Sequence, residues 1–406
     1  MSVPLNPNVK HFDVIIVGGG PGGSTCGTYL AKAGLSVAIF ERESYPRFHI
    51  GESLLPATMP IFKETGFYPK LNSGKYIEKF GARFVDYQTD DEVYFGFEGG
   101  LNREIPSAFE VERKHFDADI LAHAVETGVT LHQPVRVKET IFHDSHVSVV
   151  ASDGESVSEY TCKFLVDATG RDAFLGKQMK TRKPNFDLNN VAVFAHFTGV
   201  KRNPGKHEGD IVIGLLPEKA WTWIIPFKGE TTSVGMVCNS SVFKGGADLG
   251  QYLMDTLNGS PRVAEYMKGA ERTSEVTVIS NYSHTTDTMV GPRWIMAGDA
   301  AVFLDPIFSS GVHVSCTSGK LASNVILDAL KSDSMLDADG RGAKYQEDLL
   351  RGVKRFHNLI GMFYEGAFVA QMKKTLTLKN AREGFTSAVA GDMWNEENFL
   401  FQKNVL

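Results

Sequence analysis

Residues 12–41 read FDVIIVGGGPGGSTCGTYLAKAGLSVAIFE and indicate the fold class. The apolar run 12–17 predicts a buried strand, residues 24–33 predict a helix, and residues 36–40 predict a second strand. The turn between the first strand and the helix consists almost entirely of glycine, which ends one element and begins the next. The stretch therefore predicts a βαβ unit, which is typical of α/β folds with a parallel sheet.

The glycine turn carries the pattern G-x-G-x-x-G in Gly18, Gly20 and Gly23, and Glu41 follows the second strand. Glycines let the backbone approach a pyrophosphate, and the start of the helix offers free N–H groups to it. A carboxylate after the second strand accepts hydrogen bonds from ribose hydroxyls. An ordinary turn is the alternative, but strand, helix and acid in this order favour a dinucleotide site. The pattern does not distinguish a nicotinamide from a flavin.

Composition excludes several classes of protein. The chain has 406 residues, of which 42% are apolar, so it can bury a large core divided between two lobes. It has no apolar run of about 18 residues, so we expect no membrane span. A net charge of −6 argues against a nucleic-acid binder. The four cysteines lack metal-site spacing and the N-terminus does not resemble a signal peptide, so we expect no metal and a cytoplasmic location.

Four further segments resemble the flavoprotein monooxygenases and their relatives. AGDAA, residues 297–301, is similar to the Gly-Asp motif that holds the ribityl and pyrophosphate of FAD, which implies a cofactor-binding role for Asp299. DATG at 167–170 and RFHIGESLLP at 47–56, with Arg47 and Ser53, match other parts of the same site. Arg113 matches an arginine near the FAD phosphates. Taken singly, Asp299 is also a candidate helix N-cap and Arg113 a solvated charge.

The remaining pattern predicts the organisation of the chain. Short β-rich runs between residues 191 and 237 predict an antiparallel sheet, and helices are predicted over 318–330 and 345–363. We expect an α/β fold in which a Rossmann-type FAD-binding lobe, like that of p-hydroxybenzoate hydroxylase, carries an inserted antiparallel β-sheet substrate lobe and a helical C-terminus. The predicted FAD-binding lobe comprises residues 1–84, 110–180 and 275–330, the substrate lobe 85–109 and 181–274, and the C-terminal region 331–406.

A more specific resemblance begins at WTWIIP, residues 221–226, which has the W-x-W-x-I-P signature of flavin-dependent halogenases. Strand alternation places Trp221, Trp223 and Ile225 on one face, and Pro226 ends the strand. The resemblance implies that the two indoles on that face wall a site beside the flavin. The alternative is that both are ordinary core residues.

Lys79 is the second halogenase feature, within YIEKFGARF at 76–84. As a single strand, this segment places Lys79 on the face opposite Phe80 and Phe84, and the pattern alone favours a solvated lysine. The resemblance implies the reverse, because the family carries its indispensable lysine at the matching place. A buried ammonium polarises hypohalous acid, and its neutral form yields a haloamine.

The segment FLDPIFSSG, residues 303–311, is the third feature. It is similar to the stretch in which halogenases bind halide through backbone N–H groups, a role that Ser310 and Gly311 inherit by resemblance; a structural turn at a helix start is the alternative. Free-tryptophan halogenases have a glutamate where this chain has Phe308. That departure argues against free tryptophan and favours phenols or pyrroles, which in part of the family are bound to a carrier protein.

The resemblance as a whole implies a two-component, FADH2-dependent halogenase. A separate flavin reductase supplies reduced FAD, O2 and chloride or bromide yield hypohalous acid, and this passes Trp221 and Trp223 to Lys79, which directs it at an aromatic ring. Three alternatives remain open on the sequence: an aromatic hydroxylase, a reductase of the geranylgeranyl-reductase type, and a flavoprotein that only binds or senses.

A local charge excess bears on the carrier protein. Between Arg341 and Glu383 there are nine Lys/Arg and four Asp/Glu, a local charge of +5 in a chain whose net charge is −6. Carrier proteins are acidic, and such a surface would steer them to the enzyme. A solvated helical face is the alternative explanation.

Overall fold

The computed structural model describes residues 9–184, 189–246, 248–280, 284–366 and 368–402. In these ranges the strands are β1 (Lys10–Val17), β2 (Val37–Phe40), β3 (Ile77–Lys79), β4 (Gly81–Asp86), β5 (Glu92–Gly96), β6 (Ala108–Glu110), β7 (Thr130–His132), β8 (Arg136–Phe142), β9 (Val147–Ser152), β10 (Val157–Asp167), β11 (Arg182–Pro184), β12 (Asn190–Thr198), β13 (Ile211–Leu216), β14 (Ala220–Pro226), β15 (Thr232–Asn239), β16 (Glu271–Arg272), β17 (Thr277–Ser280), β18 (His284–Thr286), β19 (Val290–Gly291), β20 (Trp294–Met296) and β21 (Val302–Phe303). The helices are α1 (Pro21–Lys32), α2 (Met59–Thr65), α3 (Tyr68–Leu71), α4 (Arg113–Glu126), α5 (Phe174–Gln178), α6 (Leu249–Leu257), α7 (Pro261–Met267), α8 (Ser310–Lys331), α9 (Arg341–Tyr364), α10 (Phe368–Thr375), α11 (Lys379–Val389) and α12 (Phe399–Gln402).

The first large sheet is built around β1. Its main strand order is β19-β20-β10-β1-β2-β7, and β1 pairs in parallel with both β2 and β10. Val14, Ile15 and Ile16 of β1 are completely buried, as expected for a central strand covered on both faces. The predicted βαβ unit is confirmed. Helix α1 begins at Pro21, earlier than predicted, because proline suits the first turn of a helix.

The second large sheet contains the predicted antiparallel strands. Its main order is β16-β12-β15-β14-β13-β4-β5, and β12 to β15 pair in antiparallel fashion, except that β13 also pairs in parallel with β4. Strand β4 begins at Gly81, ahead of the boundary that the sequence placed before residue 85. The division into lobes stays a prediction.

The single strand predicted over 76–84 is wrong, because the structure divides it at Phe80. Strand β3 pairs with β6, whereas β4 belongs to the second large sheet. The backbone N–H of Phe80 donates to the Asp210 carboxylate at 2.9 Å, and its carbonyl accepts from the N–H of Phe97 at 2.9 Å. These two bonds hold the chain at the break, so simple alternation across residues 76–84 does not predict where Lys79 points.

The helices after residue 306 are confirmed, with longer bounds than predicted. Helix α8 begins at Ser310 instead of residue 318 and packs against α1, and α9 packs against α8. None of the helices in the described ranges combines the length and apolar character that a membrane span needs.

Two residues of the first turn must be glycine, because backbone carbonyl oxygens approach them too closely for a Cβ atom. A Cβ on Gly23 would lie 2.0 Å from the carbonyl oxygen of Gly18, and a Cβ on Gly18, whose φ is +107°, would lie 2.3 Å from the carbonyl oxygen of Ala168. A Cβ on Gly20 would meet no atom within 4 Å. Gly18 and Gly23 therefore hold β1, α1 and the turn after β10 together, whereas Gly20 faces open space.

We expect Gly23→Ala to destabilise the fold and Gly20→Ala to leave its stability unchanged. The added methyl at position 23 overlaps a backbone oxygen, which costs about 1–3 kcal/mol or more, while the methyl at position 20 enters free space. Thermal unfolding of the two variants without added cofactor measures the difference. Equal melting temperatures for the two variants would contradict this packing of the glycine turn.

Candidate active site

One cavity brings together nearly all the residues that the sequence singled out. Its volume is about 1140 Å³, which is larger than the roughly 300–1,000 Å³ of common ligand pockets. Residues of both large sheets line it, as do the N-terminal ends of α1 and α8. The predicted residues in its wall are Gly18, Gly20, Glu41, Arg47, Ser53, Arg113, Trp221, Trp223, Asp299, Ser310 and Gly311. Gly23 and Lys79 do not line it.

One end of the cavity is suited to a pyrophosphate. Helix α1 begins after Gly20 with no side-chain cap, so its first N–H groups remain available and its partial positive charge faces the cavity. The open space at Gly20 leaves room for a phosphate against the backbone.

The acid and the two arginines near this end are held in place by their neighbours. Glu41 accepts hydrogen bonds from the backbone N–H groups of Gly19 and Glu43, both at 2.8 Å. Arg113 binds Asp117 with two hydrogen bonds of 2.7 and 2.9 Å. Arg47 lies 3.2 Å from the same Asp117.

Asp117 is a residue that the sequence analysis missed. It is completely buried and holds both arginines at the cavity wall. The sequence feature that could have identified Asp117 is its position four residues after Arg113, because side chains at this spacing meet on one face of α4. Arg113 is only 5% exposed, so the alternative of a solvated helix-start charge is wrong.

Asp299 also lines the cavity, within electrostatic reach of Arg113. Its burial raises the pKa of the carboxyl to about 6, while the charges of Arg113 and Arg171 act to lower it. Ala297 takes the cap position of the short turn that contains Asp299, so the N-cap alternative for Asp299 is wrong. A cofactor with hydroxyl groups at this place would satisfy the carboxylate.

Ser310 and Gly311 lie at the first turn of α8, a helix of 22 residues. The residue before them, Ser309, has a left-handed backbone with φ of +56° and gives the helix no side-chain cap. The N–H groups of the first turn therefore have no intrahelical partner and lie at the cavity wall. This arrangement suits a small anion, because aligned peptide dipoles place partial positive charge there.

The two tryptophans form part of the wall, as their strand alternation predicted. Their ring centroids are 5.6 Å apart, and each side chain is almost fully buried. The indole N–H of Trp221 donates to the Tyr364 hydroxyl, and that of Trp223 donates to the Ser233 hydroxyl, both at 3.1 Å. Both rings are therefore fixed, and the wall that they form is rigid.

Lys79 lies behind the cavity wall in a fully enclosed place. It is 1% exposed, so the solvated position favoured by the strand pattern is wrong. Its Nζ donates to the Ser53 hydroxyl at 2.7 Å, and Ser53 itself lines the cavity. The ring of Phe97 lies 5.4 Å from Nζ on another side. One hydrogen bond thus separates the ammonium group from the cavity.

A second residue missed by the sequence analysis is Glu110, whose Oε1 lies 3.9 Å from Nζ of Lys79. Burial lowers the pKa of Lys79, while the charges of Glu110 and Asp210 oppose that shift. Burial raises the pKa of Glu110 to about 8. No sequence signal pointed to Glu110, because the pairing of β3 with β6 brings it to Lys79.

The cavity fits FAD in size and in chemistry. The free helix start and the open space at Gly20 suit the pyrophosphate, Arg47 and Arg113 suit the phosphates, and the carboxylates of Glu41 and Asp299 suit sugar and ribityl hydroxyls.

Comparisons with known proteins agree with this fit. Residues 11–337 match the family model described as FAD binding domain. The pyrrole-2-carbonyl-(peptidyl-carrier protein) chlorinase of Pseudomonas fluorescens is 32% identical over 379 residues, which cover 87% of this chain and 83% of that protein. The solved structure of the flavin-dependent brominase Bmp2 covers 98% of both chains with a TM-score of 0.87 and 27% identity.

A solved flavoprotein/dehydrogenase from Cytophaga hutchinsonii superimposes equally well, with a TM-score of 0.88, 26% identity and coverage of 96% of both chains. The fold alone therefore does not distinguish a halogenase from a dehydrogenase, and the family follows from sequence identity over most of both proteins. On that ground the chain belongs to the flavin-dependent halogenases, FAD-dependent oxidoreductases that use a halide ion as co-substrate.

Proposed function

We propose that this chain halogenates an electron-rich aromatic ring, a phenol or a pyrrole, through the ammonium group of Lys79. Bound FAD, reduced by a separate flavin reductase, supplies the electrons with which O2 converts halide to hypohalous acid. The observation that carries the proposal is the enclosed Lys79 ammonium, one hydrogen bond from the cavity through Ser53.

The protein's own residues provide three functions in this scheme. The first turn of α8, at Ser310 and Gly311, binds the halide in the cavity. Trp221 and Trp223 form a fixed wall that separates the flavin from the organic substrate, since an unseparated pair would lead to hydroxylation. Lys79 holds the hypohalous acid by hydrogen bonding to its oxygen, which makes the halogen more electrophilic.

The surroundings of Phe308 support a substrate other than free tryptophan. Its ring is buried and packs with Phe84, Phe363 and Phe368, with ring centroids 5.9 to 6.3 Å apart. The place where free-tryptophan halogenases carry a carboxylate is thus apolar in this chain. Phenols and pyrroles need no such group for activation, because their own oxygen or nitrogen makes the ring electron-rich.

A carrier protein as substrate holder is supported by the surface of α10 and α11. Five of the nine basic residues in the C-terminal segment form ion pairs. Lys374, Lys379 and Arg382 are exposed and have no acidic partner among the residues that the structure describes. Leu378, which lies between Lys374 and Lys379 in the sequence, is 66% exposed. We call these four residues the basic surface.

The basic surface includes residues of α11, a helix that packs on the turn next to Lys79. Helix α11 packs on the turn Phe97–Gly99, and the Ser387 hydroxyl accepts a hydrogen bond from the N–H of Leu101 at 2.7 Å. Phe97 in that turn is the ring next to Lys79. An acidic carrier docked on the basic surface would therefore deliver its attached substrate to the Lys79 side of the protein.

We expect Lys79→Ala to abolish halogenation while FAD binding is kept. Removal of the ammonium costs at least about 10²–10⁴-fold in rate, as for other positioned proton donors. Mass spectrometry of products from candidate phenols and pyrroles, with reductase, FAD, NADH and chloride, bromide or no halide, measures the outcome. Lys268→Ala at an exposed lysine is the control, and Lys79→Met fills the space if the alanine variant unfolds.

Three results would contradict the assignment. Halogenation by Lys79→Ala at the wild-type rate would remove the role of Lys79. A hydroxylated product that forms without halide would indicate a monooxygenase, and turnover without O2 would indicate a reductase.

We expect reversal of the three charges on the basic surface, by Lys374→Glu, Lys379→Glu and Arg382→Glu together, to weaken use of a carrier-bound substrate. The KM for the carrier should rise about tenfold or more at low salt, because electrostatic steering is lost, and turnover of the same acyl group on free pantetheine should not change. Reversal at three exposed lysines elsewhere, Lys219, Lys228 and Lys268, is the matched control. Equal losses in both triple variants would contradict this docking site.

A further inference from the structure

The buried carboxyl group of Glu110 lacks a hydrogen-bond donor in normal geometry within the described part of the chain. Its side chain is fully enclosed, and the neighbouring Ser53 hydroxyl acts to lower its pKa, but neither carboxylate oxygen accepts a hydrogen bond of normal geometry from any described residue. A buried carboxylate without hydrogen bonds is costly, so such a group requires an explanation. The one cation that the structure places within ion-pair distance of it, in the described ranges, is Lys79 at 3.9 Å.

The pairing of β3 and β6 fixes this geometry. In the ladder Ile77 stands opposite Glu110 and Lys79 stands opposite Ala108, so both side chains leave the same small sheet. Ser53, which accepts the hydrogen bond from Lys79, also forms a backbone bridge with Glu110. Lys79, Ser53 and Glu110 thus form one unit that joins two strands to the cavity wall.

The other two carboxylates that act on this unit, Asp210 and Glu52, each have a polar partner for at least one oxygen. Asp210, which precedes β13, accepts from the Phe80 N–H and from His207 at 2.8 Å. Glu52, beside Ser53, lies 3.3 Å from His196. Asp210 and Glu52 are the further charges that act on the pair, and Phe97, whose ring also lies near Lys79, is uncharged.

We propose that Glu110 is the proton partner of Lys79, so that the two side chains hold one transferable proton next to the place of halogenation. The proposal rests on the function proposed above for Lys79 and adds to it how the ammonium is restored after each turnover.

In the proposed reaction the Lys79–Glu110 pair gives up one proton and later takes one back. As the carbon–halogen bond forms, the halogen–oxygen bond breaks, and the departing hydroxide takes a proton from the Lys79 ammonium to give water. The ring C–H bond then breaks, its electron pair restores aromaticity, and its proton passes to the Lys79–Glu110 pair. Arene and hypohalous acid give haloarene and water, and the pair ends with the one proton with which it began.

The electrostatics of the pair agree with such an exchange. Burial shifts the pKa of Glu110 up to about 8 and that of Lys79 down, so the two groups approach each other in proton affinity. Transfer of the proton within the pair leaves its net charge unchanged, and no uncompensated charge remains in the enclosed space.

Glu110→Gln tests the proposal, because it removes the charge and keeps the shape. Without the carboxylate the attraction that keeps a proton on Lys79 is lost, so the pKa of Lys79 falls further. Halogenation depends on the ammonium form, so its alkaline limit should move to lower pH by about one unit or more. We also expect kcat at pH 8 to fall about tenfold or more with little change in KM.

The measurement is single-turnover halogenation between pH 6 and 10, with thermal unfolding and FAD binding recorded for each variant. Glu78→Gln is the control, because Glu78 is adjacent to Lys79 in the chain but binds the Ser107 hydroxyl at 2.5 Å. Glu110→Asp retains the charge, so it should keep the wild-type alkaline limit at reduced rate, and it serves as the readout if the glutamine variant unfolds.

The proposal would be overturned if Glu110→Gln kept both the alkaline limit and the kcat of the wild type. It would also be overturned if the alkaline limit of Glu110→Asp lay about one unit or more below that of the wild type. Failure of the proposed function would look different, since the wild type itself would then give no halogenated product.

Discussion

The enclosure of one ammonium group is the constraint on which the rest of this structure depends. Lys79 is 1% exposed, and its ammonium group donates a hydrogen bond of 2.7 Å to the Ser53 hydroxyl and lies 3.9 Å from the Glu110 carboxyl. Removing a charge from water costs several kcal/mol unless partners compensate. The break at Phe80, the small sheet of β3 and β6, and the cover provided by Phe97 and α11 together create that enclosed place.

The cavity and the Lys79 ammonium group are separated from each other by the cavity wall. The cavity suits FAD and halide, with both helix N-termini directed at it, whereas Lys79 stands outside the cavity behind Ser53. Trp221 and Trp223, each fixed by a hydrogen bond of its indole, keep the wall rigid. The function proposed above assigns oxidant formation and ring substitution to two places, with the Ser53 hydroxyl as the contact between them.

Much of the fold could be predicted from local sequence. The βαβ unit, the strands around Trp221 and the long C-terminal helices all follow from periodicity and turn residues, because neighbours in sequence determine them. The glycines, Glu41, Arg113 and Asp299 were identifiable from motifs. Glu110 and the break at Phe80 were not, because both arise from contacts between distant segments: β3 with β6, and Phe80 with Asp210. Alternation along a single strand therefore placed Lys79 in solvent.

The pKa of Lys79 most directly tests whether its ammonium group is enclosed as described. It is obtained from the pH dependence of the side-chain ¹⁵Nζ resonances of labelled lysine, with the Lys79→Arg protein to assign the signal. We expect one lysine signal, which is missing in Lys79→Arg, to titrate below the ordinary value of about 10.4 and to be protected from exchange with water. A Lys79 signal that titrates with the surface lysines and exchanges as fast as they do would contradict this enclosure.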